Sequence, residues 1–300
     1  MERLLANCRQ RVGNTPMIGI ESLSSDKVKV WAKLEWHQIG NSVKARAAFH
    51  IMQRAWSEGE LQGRTLLDAS SGNTAIAYAA IGRVLQIPVH ICIPSNASEK
   101  RKQVLRSLGA SLHWTSEMEG TDGAQAVAQE IQARYPEKYF YADQYGNPSN
   151  QEAHVLTTSR EIWQQRDGRI SHFVAGLGTT GTFTGTTRGL KDLGAQFQAI
   201  ALQPDSPLHI MEGWKHLETA KVPSIFDPSQ VDATASISSE SVMDMIRFIA
   251  RKEGLLLSPS AAANLVGAQE LAHTLEEGDI VTVLADDISK YDEVLKMIQL

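Results

Sequence analysis

The chain has 300 residues, enough at roughly 150 residues per domain for about two domains with a core each. Hydrophobic residues make up 42% and charged residues 21%, which excludes a disordered, collagen-like or disulfide-scaffold chain. Net charge is −5, from 29 basic and 34 acidic residues, so no global basic field draws the protein to nucleic acid or anionic lipid.

The first nine residues carry charges where a signal peptide needs an apolar core, and no stretch approaches the ~20 apolar residues of a membrane span. A cytoplasmic protein is expected. The two cysteines, Cys8 and Cys92, cannot form a disulfide framework and offer no metal-ligand spacing, so no metal site is expected.

The first β-rich run, residues 28–34, leads into Glu35-Trp36-His37-Gln38-Ile39-Gly40-Asn41-Ser42-Val43-Lys44, after which helical spacing runs over 43–58. Lys44 falls in the first helical turn, where the helix dipole disfavours a cation; burial there would add to the effect and make the amine a nucleophile. The second run, 65–69, is followed by Ser70-Ser71-Gly72-Asn73-Thr74, which opens a helix over 74–85. This cluster of small donors has no Lys or Arg and suits the carboxylate of a small substrate; it also reads simply as an N-cap cluster.

A strand over 89–93 contains Cys92, read as a small buried hydrophobe. Asn96, with Glu99 three residues on, has the spacing of a capping box for a helix ending at Gly109, with Lys100-Arg101-Lys102 as its solvated face. A strand over 111–115, a helix over 122–134 and a strand over 140–143 lead to Gln144-Tyr145-Gly146-Asn147-Pro148-Ser149-Asn150, where Gly and Pro interrupt the periodicity and suggest a domain joint.

A helix over 150–166 precedes the strand 172–176 and the string Gly176-Leu177-Gly178-Thr179-Thr180-Gly181-Thr182, which opens a helix over 181–193. Glycines permit a tight turn, backbone N–H groups and the helix dipole attract an anion, and the threonine hydroxyls add donors: a phosphate cradle. The same string satisfies G-x-G-x-x-G, so a nicotinamide-dependent oxidoreductase stays open, although five strand candidates precede it and its threonines suit a phosphate monoester. A strand over 197–202, helices over 239–253 and 260–275 and a strand over 279–285 complete an alternation that predicts parallel sheets covered by helices on both faces. A phosphate cradle, a carboxylate cradle and a lysine, each directly after a strand, are the parts of a pyridoxal phosphate site.

Read with Gly13-Asn14-Thr15-Pro16, Ser42-Val43-Lys44, Gln144-Tyr145-Gly146-Asn147-Pro148 and Gly178-Thr179-Thr180-Gly181-Thr182, the chain resembles the O-acetylserine sulfhydrylase (cysteine synthase) family, especially its B-type branch, among the tryptophan-synthase-β-like enzymes. The resemblance implies an α/β fold of type II with two open parallel-sheet domains: a smaller substrate-binding domain over 36–148, and a larger cofactor-phosphate domain of 1–35 and 149–300. It implies Lys44 as the Schiff-base lysine and general base, and Asn73 against the ring hydroxyl of pyridoxal 5'-phosphate. Gly178, Thr179, Thr180, Gly181 and Thr182 would hold its phosphate, and Ser260 would face its ring nitrogen. Ser70, Ser71, Asn73, Thr74 and Gln144 are implied as the substrate grip, with Lys215 near the leaving group.

The implied reaction is β-replacement on O-acetylserine or O-phosphoserine through an aminoacrylate, with a sulfur nucleophile, by a homodimer whose sulfur donor could be a carrier protein. The chain departs from the family pattern at Gln38, Ile39, Asn41 and Ala45, at Ala261-Ala262, and in Asp286-Asp287-Ile288-Ser289-Lys290-Tyr291, which lacks the usual glycine. These departures keep open a non-catalytic paralogue that binds cofactor or a partner protein. A serine or threonine deaminase would use the same lysine with water as the nucleophile.

Overall fold

The computed structural model describes residues 1–298. In chain order its elements are α1 (Glu2–Arg9), β1 (Met17–Gly19), β2 (Val28–Leu34), α2 (Lys44–Ser57), β3 (Thr65–Ala69), α3 (Asn73–Leu85), β4 (Val89–Pro94), α4 (Glu99–Ser107), β5 (Ser111–Thr115), α5 (Gly120–Arg134) and β6 (Tyr139–Tyr141). They continue with α6 (Ser149–Ala153), a π-helical turn (His154–Thr158), α7 (Ser159–Gln165), β7 (His172–Gly176), α8 (Gly181–Asp192), β8 (Gln198–Pro204), β9 (Ala233–Ile237), α9 (Ser239–Glu253), α10 (Pro259–Ala272), β10 (Gly278–Leu284) and α11 (Asp292–Met297). They form two compact units, Met1–Gly13 with Gln38–Asn150, and Asn14–His37 with Gln151–Leu300.

The first unit is built on a parallel sheet with strand order β5-β4-β3-β6. Its inner strands alternate sides, as the two-residue period of a strand requires. Leu66 and Ile91 pack with Ile51 and Met52 of α2 and Ile76 and Ile81 of α3, while Leu67, Ala69 and Cys92 pack against Ala124 and Ala128 of α5. Met1–Gly13 lies in this unit rather than with residues 14–35, because α1 packs on α2 and α3, and Cys8 and, beyond the helix, Val12 are buried in the same core. Both cysteines are fully buried, and burial pushes their thiols up, to about 11 for Cys8 and about 12 for Cys92. A protonated, inaccessible thiol is neither nucleophile nor metal ligand.

The second unit carries a six-stranded sheet ordered β1-β2-β10-β7-β8-β9, parallel except for β1. Its central helix is α10, in which every residue from Pro259 to Ala268 is buried. Apart from Ser260 and Asn264 these residues are apolar or glycine, and a helix of that composition belongs inside a core. Its start is fixed by Ser258, whose hydroxyl accepts the Ala261 amide, and by Pro259 in the first turn. The Asn14-Thr15-Pro16 portion of the N-terminal motif is anchored here: Asn14 and Thr15 donate their amides to Glu161, and Thr15 Oγ1 donates to buried Glu35 at 2.7 Å. Lys33, fully buried on β2, pairs with Glu161 at 2.8 Å and donates to the Thr15 carbonyl and to Gln165.

Three expectations are corrected. The helix expected over 150–166 contains a π-helical turn at His154–Thr158. The cap of α4 is Ser98, not Asn96, and Glu99 pairs with Lys102 instead of closing a capping box. Lys100-Arg101-Lys102 is not a solvated face: Arg101 and Lys102 are each 6% exposed. Lys102 is held in by the Ser95 carbonyl and Glu99, with its ammonium 5.3 Å from the centre of the Trp114 ring.

One buried acid makes the first unit sensitive to pH. Asp68 on β3 is wholly buried, and burial pushes its carboxyl up to about 7, against the pull of the Ala69 amide it accepts at 2.8 Å and with the push of nearby Asp143. An acid whose folded value is raised prefers its neutral form in the fold. Its contribution is therefore full below the unfolded value near 4 and is lost as pH rises through about 7. Asp68→Asn should remove this loss: in urea unfolding, its stability advantage over wild type should be larger at pH 8 than at pH 5, by about 2 kcal/mol.

Candidate active site

Chemistry-bearing loops recur at one kind of place in each unit: the carboxyl end of a parallel strand, just before a helix N-terminus, where ligands of open α/β sheets bind. In the first unit, Lys44 is the first residue of α2 and is half-buried. Its amide donates to Ser42 Oγ at 3.3 Å, and Gly40 and Asn41 before it both have positive φ, +76° and +50°. A Cβ at Gly40 would lie 3.1 Å from Ala77 Cα, so the lysine loop runs hard against α3.

The α3 side of that contact is the Ser70-Ser71-Gly72-Asn73-Thr74 loop. Asn73 begins α3, and Ser70 Oγ accepts the Gly72 amide at 3.2 Å, leaving its own proton to donate. Thr74 Oγ1 donates to Gln144 Oε1 at 2.7 Å, Gln144 Nε2 donates to the Ala69 carbonyl at 3.0 Å, and Asn150 donates to the Gln144 carbonyl at 2.7 Å. Residues 70 apart in sequence are thus bonded to each other, and Gln144 braces the loop from its strand end.

In the second unit the loop after β7 enters α8 at Gly181. Two positions must be glycine. A Cβ at Gly176 would overlap the Trp214 ring at 1.9 Å, and one at Gly178 would lie 2.0 Å from the Gly213 carbonyl oxygen. These glycines are required by the chain's own segment at 213–214, which weakens the dinucleotide interpretation of the string. Thr180 takes a left-handed φ of +70°, a costly conformation for a β-branched residue. The turn is held by the Leu177 amide on the Leu202 carbonyl and by the Lys215 amide on the Leu177 carbonyl, both short. Lys215 therefore lies with its backbone against the entry to the cradle.

Thr182 Oγ1 stands 3.3 Å from Nε2 of buried His154. Ser260, in the first turn of α10, is 5% exposed, with its hydroxyl 3.2 Å from that of Ser258. Two residues that sequence reasoning missed support these loops. Asn264 accepts the Gly176 amide at 2.8 Å and donates to the Val283 carbonyl at 2.6 Å, tying α10, β7 and β10 together. His154 is the other. The sequence signal for Asn264 was its place as a lone amide among Ala261-Ala262-Ala263 and Leu265-Val266.

Whether these residues fit a phosphate monoester can be judged from their unmet needs. Among the described residues the Thr180 hydroxyl, in the turn itself, is buried without a hydrogen-bond partner, as are those of Thr184, Thr186 and Thr187 further along α8. The first amides of α8 have no intrahelical carbonyl to bond. A buried hydroxyl left unpaired costs about 1–3 kcal/mol, which an acceptor-only anion at this helix start would offset. The cradle fits the group.

Comparison with known proteins agrees. Residues 8–286 match the family described as pyridoxal-phosphate dependent enzyme. The chain is 43% identical over 290 residues to cysteine synthase of Aquifex aeolicus, covering 93% of this chain and 88% of that one. It is 34% identical over 289 residues to cysteine synthase B of Escherichia coli, covering 96% and 94%. Among solved structures, cysteine synthase from Entamoeba histolytica superposes with a TM-score of 0.91 at 27% identity, over 98% of this chain and 90% of that one.

Asn264→Ala should strand both the Gly176 amide and the Val283 carbonyl in the core. Thermal or urea unfolding should show a loss of about 2–4 kcal/mol, far beyond the cost of an exposed Asn→Ala change.

Proposed function

The chain belongs to the pyridoxal-phosphate dependent enzymes, with cysteine synthases as relatives across its length, and on that premise we propose which residues do the work and on what. The activity is formation of L-cysteine, or a related β-substituted alanine, by β-replacement on an O-activated L-serine. Bound pyridoxal phosphate supplies an electron sink that acidifies the substrate Cα–H and lets the β-substituent leave.

Gly178, Thr179, Thr180, Gly181 and Thr182 would hold the cofactor phosphate, Asn73 its ring hydroxyl, and Lys44 Nζ its aldehyde carbon. With the amino-acid substrate in place, the Lys44 amine would take the proton from Cα as general base. The substrate carboxylate is held at the start of α3 by the Ser70 and Ser71 hydroxyls and by Asn73, Thr74 and Gln144, the last two already locked in position by their mutual hydrogen bond. Ser260 would face the ring nitrogen. Ser258 Oγ, fixed by the Ala261 amide, can donate to Ser260 Oγ and leave the Ser260 proton for that nitrogen. A neutral hydroxyl does not keep the nitrogen protonated as a carboxylate would, which suits β-replacement over transamination.

The single observation that carries this reading is the placement of Lys44, Asn73 and the threonine cradle at helix starts in a chain whose relatives are cysteine synthases. O-acetylserine and O-phosphoserine are the proposed substrates and sulfide or a sulfur-carrier protein the donor. The proposed assembly is a homodimer in the cytoplasm, a reducing setting that suits two buried free thiols. No described helix is long and apolar enough to cross a membrane.

Incubation with O-acetyl-L-serine or O-phospho-L-serine and sulfide should yield L-cysteine, and Lys44→Ala should lower the rate at least about 10³-fold. Absence of cysteine with both serines would overturn the reading. Lys215→Ala should lower kcat/KM for O-phosphoserine about tenfold or more, as loss of one charge-assisted contact does, while leaving O-acetylserine nearly unchanged. Unaltered discrimination would remove Lys215 from the site.

A further inference from the structure

His154 is 2% exposed, and each of its ring nitrogens lies near a threonine hydroxyl. Its Nδ1 lies 2.9 Å from Thr158 Oγ1 and its Nε2 lies 3.3 Å from Thr182 Oγ1. Thr182 is the second residue of α8, in the proposed cradle, and His154 begins the π-helical turn that packs on that helix. The packing is close enough that a Cβ at Gly185 would lie 2.2 Å from the Gln151 carbonyl and 2.9 Å from His154 Cβ. π-Helical turns cluster at functional sites because they displace a side chain from the regular helical ladder.

We propose that the chain Thr158–His154–Thr182 is a one-way hydrogen-bond relay, in which His154 positions Thr182 as a donor to the cofactor phosphate. The inference rests on the assignment of 178–182 as the phosphate cradle. A phosphate dianion only accepts hydrogen bonds, and a threonine hydroxyl has one proton. If Thr182 gives that proton to phosphate, its oxygen must accept from His154, which fixes the proton of the neutral imidazole on Nε2. Nδ1 is then the acceptor, and Thr158 must donate to it. Every bond points the same way and each strengthens the next. The reverse order, with Thr182 donating to Nε2, would turn a lone pair towards the phosphate.

His154→Phe keeps the ring and removes the relay; His154→Gln restores an amide donor. For apoprotein titrated with pyridoxal 5'-phosphate, H154F should bind at least about tenfold more weakly, with H154Q between it and wild type. Binding of pyridoxal, which lacks the phosphate, should be unchanged in all three. Thr182→Val should abolish the effect of H154F, because one variant acts through the other. Long-range ¹⁵N–¹H spectra of the wild-type holoenzyme, which depend on no variant's folding, should show His154 as the Nε2–H tautomer. An Nδ1–H tautomer, or H154F that discriminates pyridoxal phosphate from pyridoxal as wild type does, would overturn the relay. Wild-type protein that fails to discriminate the two would instead overturn the cradle itself.

Discussion

The amides that open α8 carry the positive end of a helix dipole, and the turn that leads into them exists only because residues 176 and 178 have no side chains. The Trp214 ring and the Gly213 carbonyl fill the space where two Cβ atoms would stand, while Asn264 holds the Gly176 amide from the opposite side. Squeezed from both directions, the chain reaches Thr180 in a left-handed conformation that a β-branched residue adopts only when its surroundings dictate it. What results is a tight turn at a helix start, with the Thr180 hydroxyl buried and without a partner among the described residues. An anion bound there would recover free energy already committed in folding.

The first unit uses a different device for a similar end. Its 70–74 loop is not squeezed but braced: Thr74, Gln144, the Ala69 carbonyl and Asn150 form a short hydrogen-bonded run that ties the start of α3 to the residues after β6. Asp68 lies one residue behind this run, and burial pushes its carboxyl up to about 7. The departures from the family pattern are absorbed in the same local terms. Asn41 takes the φ of +50° that a glycine would otherwise supply, as asparagine tolerates. Gln38 accepts the Gly13 amide at 2.9 Å, and Ala45, Ala261 and Ala262 are completely buried, where small side chains suit the packing. The C-terminal segment without its glycine still closes, with Tyr291 donating to buried Asp286 at 2.8 Å.

Much of this was visible in the sequence because parallel sheets announce themselves. Strands buried on both faces read as continuous apolar runs, and the loops that follow them stand out by their Gly, Ser, Thr and Asn. Lys44, the 70–74 loop and the 176–182 loop were found that way, and predicted strand ends at 28–34, 65–69, 111–115 and 172–176 coincide with those in the structure. What escaped notice lacks a local signature. β1 has three residues, and β9 is largely exposed, with a pattern no different from a loop. The π-helical turn keeps helical spacing on either side of it, so its extra residue is silent until His154 is seen to meet Thr182. Lys102 reads as a solvated charge because its acceptors, the Ser95 carbonyl and Glu99, become neighbours only once the helix has formed.

The central claim is that one amine, Lys44 Nζ, carries the cofactor carbonyl. Borohydride reduction of the purified holoenzyme, followed by proteolysis and mass spectrometry, tests it directly. The account predicts a single phosphopyridoxyl-modified peptide, bearing the added mass on Lys44. Modification of a different lysine, or none at all, would contradict it.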